Sequence, residues 1–431
     1  MNIHRLASPI LYRLVKNFIS LALIQGTNFI LPLLVIPYLI QVVGIEKFGL
    51  ISFAQVIALY LVIFSEYGFN LSATKEVSEN RDNPKKLIYI YNATLTTRLF
   101  LCLIAFLFLC LLTFSIPTLR KDYLLYILSS TMFIGQSLTP TWFFLGMEQM
   151  RFITYVNLLS KSILTISTFL FIVDPGDFIY ANMLNGIGSL IAGLICIAII
   201  KKKFGIQSKL TNFTSVKERL RSSFSVFISN FSTNIYLNIN IIILQIFTSA
   251  SIVGMYSVAE KVFIALKNLI SVIFQSIYPF ACKLKLESEL RFKAFFSGYI
   301  YISGLCFIAL GMTTYYFADD IIFLIANKQL DDAVAILKIF SFIPVILTLS
   351  IPAFQASLIY KHDKKFSYIM IGAAVINIAT NILLTIRYGA YGTAFTVVLT
   401  ELFVMIALNI LILKTEKIFF FNPINIKQWF I

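Results

Sequence analysis

The sequence has little charge. Only 13% of its 431 residues are Asp, Glu, Lys or Arg, which is about half the share found in soluble domains. Hydrophobic residues make up 59% of the chain, and the mean hydropathy is +0.87. Apolar runs of about 20 residues, long enough to cross a bilayer, recur along the chain. The composition therefore excludes an ordinary soluble domain and predicts an all-α polytopic membrane protein.

Histidine and cysteine are too few and too scattered to build a reactive centre. The two histidines, His4 and His362, lie outside the apolar runs, so no histidine cluster is available. The five cysteines are odd in number and lie in or beside apolar runs, a pattern that predicts neither disulfides nor a metal site. The sequence also lacks a GxxxxGK[ST] motif, so direct use of ATP is not expected. We expect no cofactor and no enzymatic activity.

Twelve apolar segments are predicted to span the membrane. Their approximate bounds are 16–40, 48–70, 87–113, 123–145, 152–173, 178–200, 224–246, 255–282, 294–317, 333–359, 366–386 and 393–413. The Lys and Arg residues between them number 25 on the side of the N-terminus and five on the other side. Since loops rich in Lys and Arg stay cytoplasmic, both termini are predicted to be cytoplasmic. The net charge of +15 then mostly reflects the excess of Lys and Arg in cytoplasmic loops, and a nucleic-acid partner is not expected.

The chain is predicted to form two lobes of six helices. An N-terminal lobe, 1–203, is followed by a basic cytoplasmic linker, 204–223, and a C-terminal lobe, 224–431. The motifs FGLISFAQ, from residue 48, and VGMYSVAE, from residue 253, share Gly, Ser and Ala 205 residues apart. Repeats of equal orientation predict a pseudo-twofold axis along the membrane normal, with substrate handled between the halves.

Polar residues within the predicted spans identify candidate sites, because such residues usually face the protein interior or water. The fifth span carries a polar face at helical spacing: Thr154, Asn157, Lys161, Thr165 and Thr168. Lys161 lies ten residues past Arg151, about 15 Å along the helix. It is therefore predicted either to line a hydrated interior or to be neutralised by a structural partner.

The charges within the spans are mainly positive. The cations are Arg98, Lys161, Lys261, Lys267 and Lys338, and the acids are Glu66, Glu260 and Glu401. This balance favours an anionic substrate, and phosphate is a natural partner of Arg and Lys. The amides fall mainly in the first and seventh spans: Gln25, Asn28, Asn230, Asn234 and Asn238. They either join helices or bind sugar hydroxyls, and the spacing favours neither.

The sequence allows two positions for Arg98 relative to the membrane. If the third span starts near Leu87, Arg98 lies about 16 Å into the membrane. If the hydrocarbon begins at Leu99, Arg98 is an interfacial residue at the cytoplasmic mouth of a basic cavity.

Four motifs together resemble the Wzx O-antigen flippases, in the polysaccharide-export branch of the multidrug/oligosaccharidyl-lipid/polysaccharide superfamily. They are EYGFNLSATKEVSENRD from residue 66, TPTWFFLGMEQMRFITYVNLLSK from residue 139, SNFSTNIYLNINIIIL from residue 229 and VGMYSVAEKV from residue 253. The resemblance implies a MATE-like exporter of the bacterial inner membrane that works by alternating access. Its substrate would be an oligosaccharide repeat unit on undecaprenyl pyrophosphate, moved to the periplasmic leaflet. Other polysaccharide assembly proteins are conceivable partners.

On this interpretation each class of polar residue has an expected role. Lys161, Lys267 and Arg98 attract the pyrophosphate. Glu66, Glu260 or Glu401 binds a coupling ion, H⁺ or Na⁺. The sugars are contacted by amide side chains: Gln25, Asn28, Asn157, Asn230, Asn234 and Asn238.

Two other functions are compatible with a chain of this composition. A MATE-like exporter of drugs or small metabolites has the same architecture, although cationic drugs favour the opposite interior charge. A membrane enzyme such as a polysaccharide polymerase is expected to carry a sizeable external loop, whereas the longest one predicted here is 318–332.

Overall fold

The computed structural model describes the backbone of residues 4–418 and 420, and the side chains of residues 34–418 and 420 apart from Tyr236. All regular elements in this part of the chain are helical. Helices satisfy their own backbone hydrogen bonds, as the hydrocarbon of a bilayer demands. In chain order they are α1 His4–Glu66, α2 Phe69–Glu79, α3 Pro84–Ser115, α4 Pro117–Lys121, α5 Tyr123–Leu138, α6 Thr141–Gly146, α7 Met150–Phe171, a 3₁₀ turn Pro175–Tyr180, α8 Ala181–Phe204, α9 Phe213–Phe247, α10 Ala250–Glu287, α11 Glu289–Tyr316, α12 Ala318–Ala326, α13 Asp331–Phe340, α14 Ile343–Ile359 and α15 Asp363–Glu416.

The described helices are long and apolar enough for several membrane crossings. Seven qualify as spans, or up to eight if the two halves of α9, bent by 52°, count as one. One of these seven, Asp363–Glu416, has 54 residues and a contour of about 81 Å, well over twice the hydrocarbon thickness of about 30 Å. The chain is a multi-pass membrane protein, and the count of twelve spans stays a prediction.

Helix α15 folds back on itself at Gly389. This glycine has a φ of 57°, outside the helical region. The amide of Asn377 donates to the hydroxyl of Thr400 at 3.1 Å, and the hydroxyls of Thr385 and Thr393 lie 2.8 Å apart. In a straight helix, residues 23 apart would be separated by about 34 Å. The two arms of this hairpin correspond to the predicted eleventh and twelfth spans.

A second break, at Gly44, lies between the first two predicted spans and precedes a very close helix contact. Gly44 has a φ of 81°. Beyond it, a Cβ added at Gly49 would overlap the carbonyl oxygen of Ala250, and a Cβ added at Gly254 would overlap that of Ile45. Small residues allow membrane helices to approach at this distance.

This contact is reciprocal and has the offset of the sequence repeat. Ile45 and Ala250 are 205 residues apart, as are Gly49 and Gly254. Each glycine meets the carbonyl of the residue four positions before its counterpart. The repeated motifs therefore pack against each other with local twofold symmetry.

Residues Ile30–Gly254 form one compact unit. Its centre is the packing of α5 and α7 on α8, again through glycines. A Cβ at Gly135 would lie 2.6 Å from the Leu190 nitrogen, and one at Gly188 would lie 2.6 Å from the Ser160 carbonyl oxygen. The packing fixes α7, which carries the polar face predicted from the sequence.

The described parts of Met255–Ile431 and Met1–Phe29 form the other unit. Its described core contains α11 and α14 packed together, and α14 against α15. Gln355 of α14 donates its amide to the Phe274 carbonyl of α10 at 3.0 Å. These contacts bring α10 and the α15 hairpin into one helix bundle.

The predicted linker, 204–223, is docked on α3 rather than free. Asn92 accepts a hydrogen bond from the backbone N–H of Lys209 at 2.8 Å, and Thr96 accepts one from that of Thr211 at 3.1 Å. From Phe213 onward the predicted linker is already helical, as the first turns of α9. The lobe bounds 1–203 and 224–431 stay predictions.

The glycine contact gives a stability test. Replacing Gly49 or Gly254 with Ala should lower the free energy of unfolding by about 1–3 kcal/mol, because the new methyl group meets backbone that must shift. Thermal unfolding of the purified protein in detergent measures the effect. The control is Gly304→Ala, where an added Cβ lies 3.9 Å from the nearest side-chain atom, in Thr348. Parent-like unfolding of Gly49→Ala and Gly254→Ala would contradict the close approach.

Candidate functional site

Helix α7 has three distinct faces. Its packed face, against α8, contains Val156, Ser160, Leu164 and Thr168, all buried. Its lipid-facing side is apolar, and Tyr155 and Leu170 are each 66% exposed there. Between these faces lie four half-buried polar residues: Thr154, Asn157, Lys161 and Thr165. Four of the five predicted polar residues thus share one face, and Thr168 belongs to the packed one.

Lys161 lies near the middle of this polar face. Thr165 donates its hydroxyl to the Lys161 carbonyl at 2.9 Å, so the hydroxyl satisfies its hydrogen bond on its own helix. The Lys161 side chain is half-buried, and about 15 Å of helix separates it from Arg151 at the helix start. A cation at this depth has lost part of its hydration and gains strongly from an anionic partner.

The asparagines of α9 also form a continuous row. Asn234 donates its amide to the carbonyl of Asn230 at 2.9 Å, and Asn238 donates to the carbonyl of Asn234 at 3.2 Å. Tyr60 of α1 donates its hydroxyl to the same Asn234 carbonyl at 3.3 Å. A side-chain amide has two N–H donors and an acceptor oxygen. The bond to the backbone uses one donor of each amide, and the Asn238 amide also lies 3.5 Å from the side-chain oxygen of Asn234. The remaining groups are suited to a sugar hydroxyl.

This row coincides with a bend in α9. The segments Phe213–Ile235 and Leu237–Phe247 meet at 52°. Side chains that hydrogen-bond to carbonyls one turn earlier compete with the helix ladder and bend helices. The asparagines account for the bend in this way.

Arg98 joins three helices of the unit Ile30–Gly254. Its guanidinium donates to the Thr139 carbonyl at 2.9 Å and to the Gln136 carbonyl at 2.6 Å. These are the last carbonyls of α5, at the negative end of its helix dipole. Glu66, the last residue of α1, lies 3.7 Å from the same guanidinium and accepts a 3.2 Å hydrogen bond from the Gln136 amide.

The predicted substrate-binding role of Arg98 does not fit this geometry. Arg98 is 1% exposed, so it has no surface from which to meet a pyrophosphate. Carbonyls at the end of α5, 38 and 41 residues along the chain, accept hydrogen bonds from its two terminal nitrogens instead. Arg98 is a structural cap of α5, and Glu66 is its counter-ion.

The hydrogen bonds of the linker to α3 show which of the two membrane positions of Arg98 is right. A polar backbone segment cannot lie exposed in hydrocarbon, and the linker is bonded to Asn92 and Thr96. The exposed apolar side chains of α3 resume at Leu103, which is 57% exposed. The hydrocarbon therefore begins near Leu99, and Arg98 lies at its edge.

Lys267 and Glu401 form an ion pair in the other unit. The Lys267 ammonium of α10 lies 2.8 Å from a Glu401 carboxylate oxygen of α15. Glu401 is 6% exposed and Lys267 is 32% exposed. The structure thus pairs a predicted substrate cation with a predicted ion-coupling acid.

A buried polar row in the α15 hairpin escaped the sequence analysis. It consists of Asn377, Asn381 and Thr385 on one arm and Thr393, Thr396 and Thr400 on the other, all buried. Thr385 donates to the Asn381 side chain at 2.6 Å. The one-turn spacing of these residues, the same rule that found the α9 asparagines, is the signal that identifies them. The row ends beside Glu401.

The remaining predicted residues are less defined. Glu260 is half-buried on α10, next to Lys261, which is also half-buried. Asn157 lies on the polar face of α7, next to the packed face. Gln25 and Asn28 lie outside the residues whose side chains the structure describes. Their proposed contacts with sugars stay predictions.

Comparison with known families places the chain by sequence. The profile of a family described as polysaccharide biosynthesis protein matches residues 14–285, which is more than half of the chain. The predicted resemblance to the polysaccharide-export branch is confirmed by this match.

Two relatives match over almost their whole length. A protein of Escherichia coli (strain K12) named "Putative O-antigen transporter" is 29% identical over 404 residues, covering 94% of this chain and 97% of that protein. A protein of the same name from Shigella dysenteriae is 26% identical over 404 residues, covering 91% and 98%.

Solved structures with the same fold are transporters. The lipid II flippase MurJ, in an inward closed conformation, matches with a TM-score of 0.65 at 15% identity, covering 95% of this chain and 90% of that one. An inward-facing MATE family multidrug resistance transporter of the MOP superfamily matches with a TM-score of 0.63 at 13% identity, covering 87% and 95%. The MATE-like fold predicted from the sequence is confirmed.

The role of Arg98 as a cap can be tested by stability. Arg98→Leu removes the charged donor from two carbonyls at the end of α5, each of which keeps one backbone N–H donor, and it leaves Glu66 without a counter-ion. We expect it to cost about 3 kcal/mol or more in the free energy of unfolding, measured by thermal unfolding in detergent. Arg98→Lys keeps the charge but loses the fork that reaches both carbonyls, and it should also be destabilised. Arg151→Leu, at the exposed start of α7, is the matched control.

A double variant separates the effect of losing the cap of α5 from the effect of leaving the Glu66 carboxylate unpaired. The double variant Arg98→Leu, Glu66→Leu removes the unpaired carboxylate and should be more stable than Arg98→Leu alone. If Arg98→Leu unfolds at the same temperature as Arg151→Leu, the capping role is wrong.

Proposed function

The chain belongs to the polysaccharide biosynthesis protein family, and we propose that it moves a lipid-linked oligosaccharide from one leaflet of a bilayer to the other. The proposed substrate is a polysaccharide repeat unit, such as that of O-antigen, on undecaprenyl pyrophosphate. Transport runs from the cytoplasmic to the periplasmic leaflet of the bacterial inner membrane. The names of the two relatives and the fold shared with a lipid flippase support this proposal. The chain acts as a transporter and not as an enzyme.

The observation that carries the proposal is the half-buried Lys161 on the polar face of a membrane helix. A lysine costs about 2.5–3.5 kcal/mol at the centre of a membrane helix on insertion scales. Binding of an anionic substrate offsets such a cost, and phosphate oxygens accept strong, charge-assisted hydrogen bonds from an ammonium. Thr154, Asn157 and Thr165 extend the same face with groups that suit sugar hydroxyls.

The amide row of α9 supports the sugar-binding part. Asn230, Asn234 and Asn238 present one amide per turn along a membrane helix. Hydroxyls of an oligosaccharide recur at short intervals along its chain, and a ladder of amides can bind them in several registers. The oligosaccharide can therefore move along the row without being trapped at one strongly binding position.

The ion pair between Lys267 and Glu401 suggests how an ion is coupled to transport. A pyrophosphate that binds Lys267 must displace the Glu401 carboxylate, which lies 2.8 Å away. A proton or Na⁺ that neutralises Glu401 releases the lysine and so favours binding of the anion. Glu66 is paired with the structural cap Arg98, whereas Glu401 is paired with a proposed phosphate-binding lysine, so Glu401 is the better candidate for coupling.

The architecture proposed for this cycle has twelve spans in two six-helix lobes, with both termini in the cytoplasm. Rocking of the lobes alternates access to the polar faces from the two sides. The reciprocal packing at Gly49 and Gly254 supports an internal repeat of this kind.

Substitution of Lys161 tests the phosphate-binding role. Lys161→Met should reduce translocation of the lipid-linked repeat unit at least tenfold, because the anion loses its partner in a poorly hydrated site. Lys161→Arg should keep most of the activity. The assay follows the appearance of labelled repeat units in the opposite leaflet of proteoliposomes.

Arg151→Met removes a cation from the exposed start of the same helix and is the matched control. Each variant must unfold at the temperature of the parent for the comparison to count. The double variant Lys161→Ala, Lys267→Ala should be inactive, and if it moves the repeat unit at the parent rate, the cationic site is not used.

A further inference from the structure

An apolar pocket of about 690 Å³ lies within the unit Ile30–Gly254, in the size range of small-molecule sites. It is enclosed by the second half of α1, the end of α3, the start of α4 and α5, and the end of α9. Almost all of its lining side chains are aliphatic or aromatic. The pocket is separate from the polar face of α7.

The pocket opens sideways, toward lipid. Phe53 and Tyr126 at its floor are buried, at 8% and 2% exposed. Phe108, Ile116 and Ile246 at its mouth are 48%, 39% and 66% exposed, on the outer surface of membrane helices. The mouth therefore faces the hydrocarbon of the bilayer, where the available ligands are lipid chains.

Its depth matches one leaflet. The lining residues of α1 run from Leu50 to Leu61, about 16 Å along the helix, and half of the hydrocarbon thickness is about 15 Å. Leu112 of α3 lies 20 residues past Asn92, about 30 Å from the linker. The pocket thus spans the middle of the membrane, and its outer part lies in the half away from the basic linker.

The pocket has polar groups at both ends. At its inner end Tyr60 lines the pocket and donates its hydroxyl to the carbonyl of Asn234. At its outer end lie Thr118, Thr248 and Gln245, whose Oε1 is buried and accepts no hydrogen bond from the described residues. Such a site suits an amphiphile, with a chain in the pocket and a polar head at either end.

The depth of the inner end distinguishes between kinds of lipid. Tyr60 is 16 residues from Gly44 and six from Glu66, about 24 Å and 9 Å along α1, so it lies well inside the hydrocarbon. A resting phospholipid keeps its head at the bilayer surface. When the head of a lipid is partway across the membrane, the head lies at the depth of the asparagine row and the tail lies at the depth of the pocket.

We infer that this pocket holds the polyisoprenoid tail of the substrate lipid while its head crosses between leaflets. The inference rests on the proposed function and adds a tail-binding site to it. The asparagine row receives the oligosaccharide, and the neighbouring pocket keeps the tail next to it. The tail thus stays attached to the protein and remains in apolar surroundings.

Photocrosslinking at adjacent positions of α3 tests the site. Leu112 lines the pocket, whereas Leu111 is 64% exposed and does not line it. A benzophenone amino acid is introduced at one or the other position of the full chain. The protein is placed in phospholipid nanodiscs containing radiolabelled undecaprenyl phosphate without sugar. We expect labelling from position 112 to exceed that from position 111 several-fold.

A second variant checks that the label reports the pocket. Ile57→Trp fills the pocket from α1, and it should abolish the excess labelling at position 112 while leaving position 111 unchanged. Equal labelling at the two positions, or excess labelling that survives Ile57→Trp, would overturn the inference and indicate ordinary contact with bulk lipid.

The probe lipid carries no oligosaccharide, so the result does not depend on transport. A protein that translocates the repeat unit but shows no excess labelling at position 112 has the proposed function without this pocket. A protein that shows the excess but translocates nothing retains the tail site and loses the proposed function.

Discussion

The hydrocarbon of a bilayer offers no water to a polar group, and this constraint organises the molecule. Each charged or amide side chain must find a partner within the protein or pay for its absence. Arg98 illustrates the result, because its two terminal nitrogens donate to the last carbonyls of α5 and its charge is balanced by Glu66. One side chain thereby fixes the end of α5 against α3 and α1.

The two units meet the same constraint differently. In the unit of Ile30–Gly254, Lys161 lies half-buried between a packed face and a lipid face, on a polar face that it shares with Thr154 and Asn157. In the other unit, Lys267 is held by Glu401, so any anion must compete with a carboxylate.

Local periodicity was sufficient to predict the polar face of α7 and the asparagine row of α9, whereas the MATE-like fold class followed from the resemblance of four motifs to a known family. Partners distant in the chain were not predictable, since spacing carries no information about which helices touch. The pairing of Lys267 with Glu401, 134 residues away, depends on packing that only the structure shows. For Arg98, the hydrogen bonds of the linker to α3 decided between the two positions relative to the membrane that sequence left open. The repeated glycine motifs were visible in the sequence, but their direct contact with each other was not.

The docking of the linker on α3 bears on how freely this part of the sequence can vary. The bonds to Asn92 and Thr96 come from the main-chain N–H groups of Lys209 and Thr211, not from their side chains. The side chains at these two positions can therefore be selected for other properties, such as the positive charge that sets membrane topology. Proline alone lacks the necessary donor. These two positions can therefore change in sequence while the path of the linker along α3 is retained.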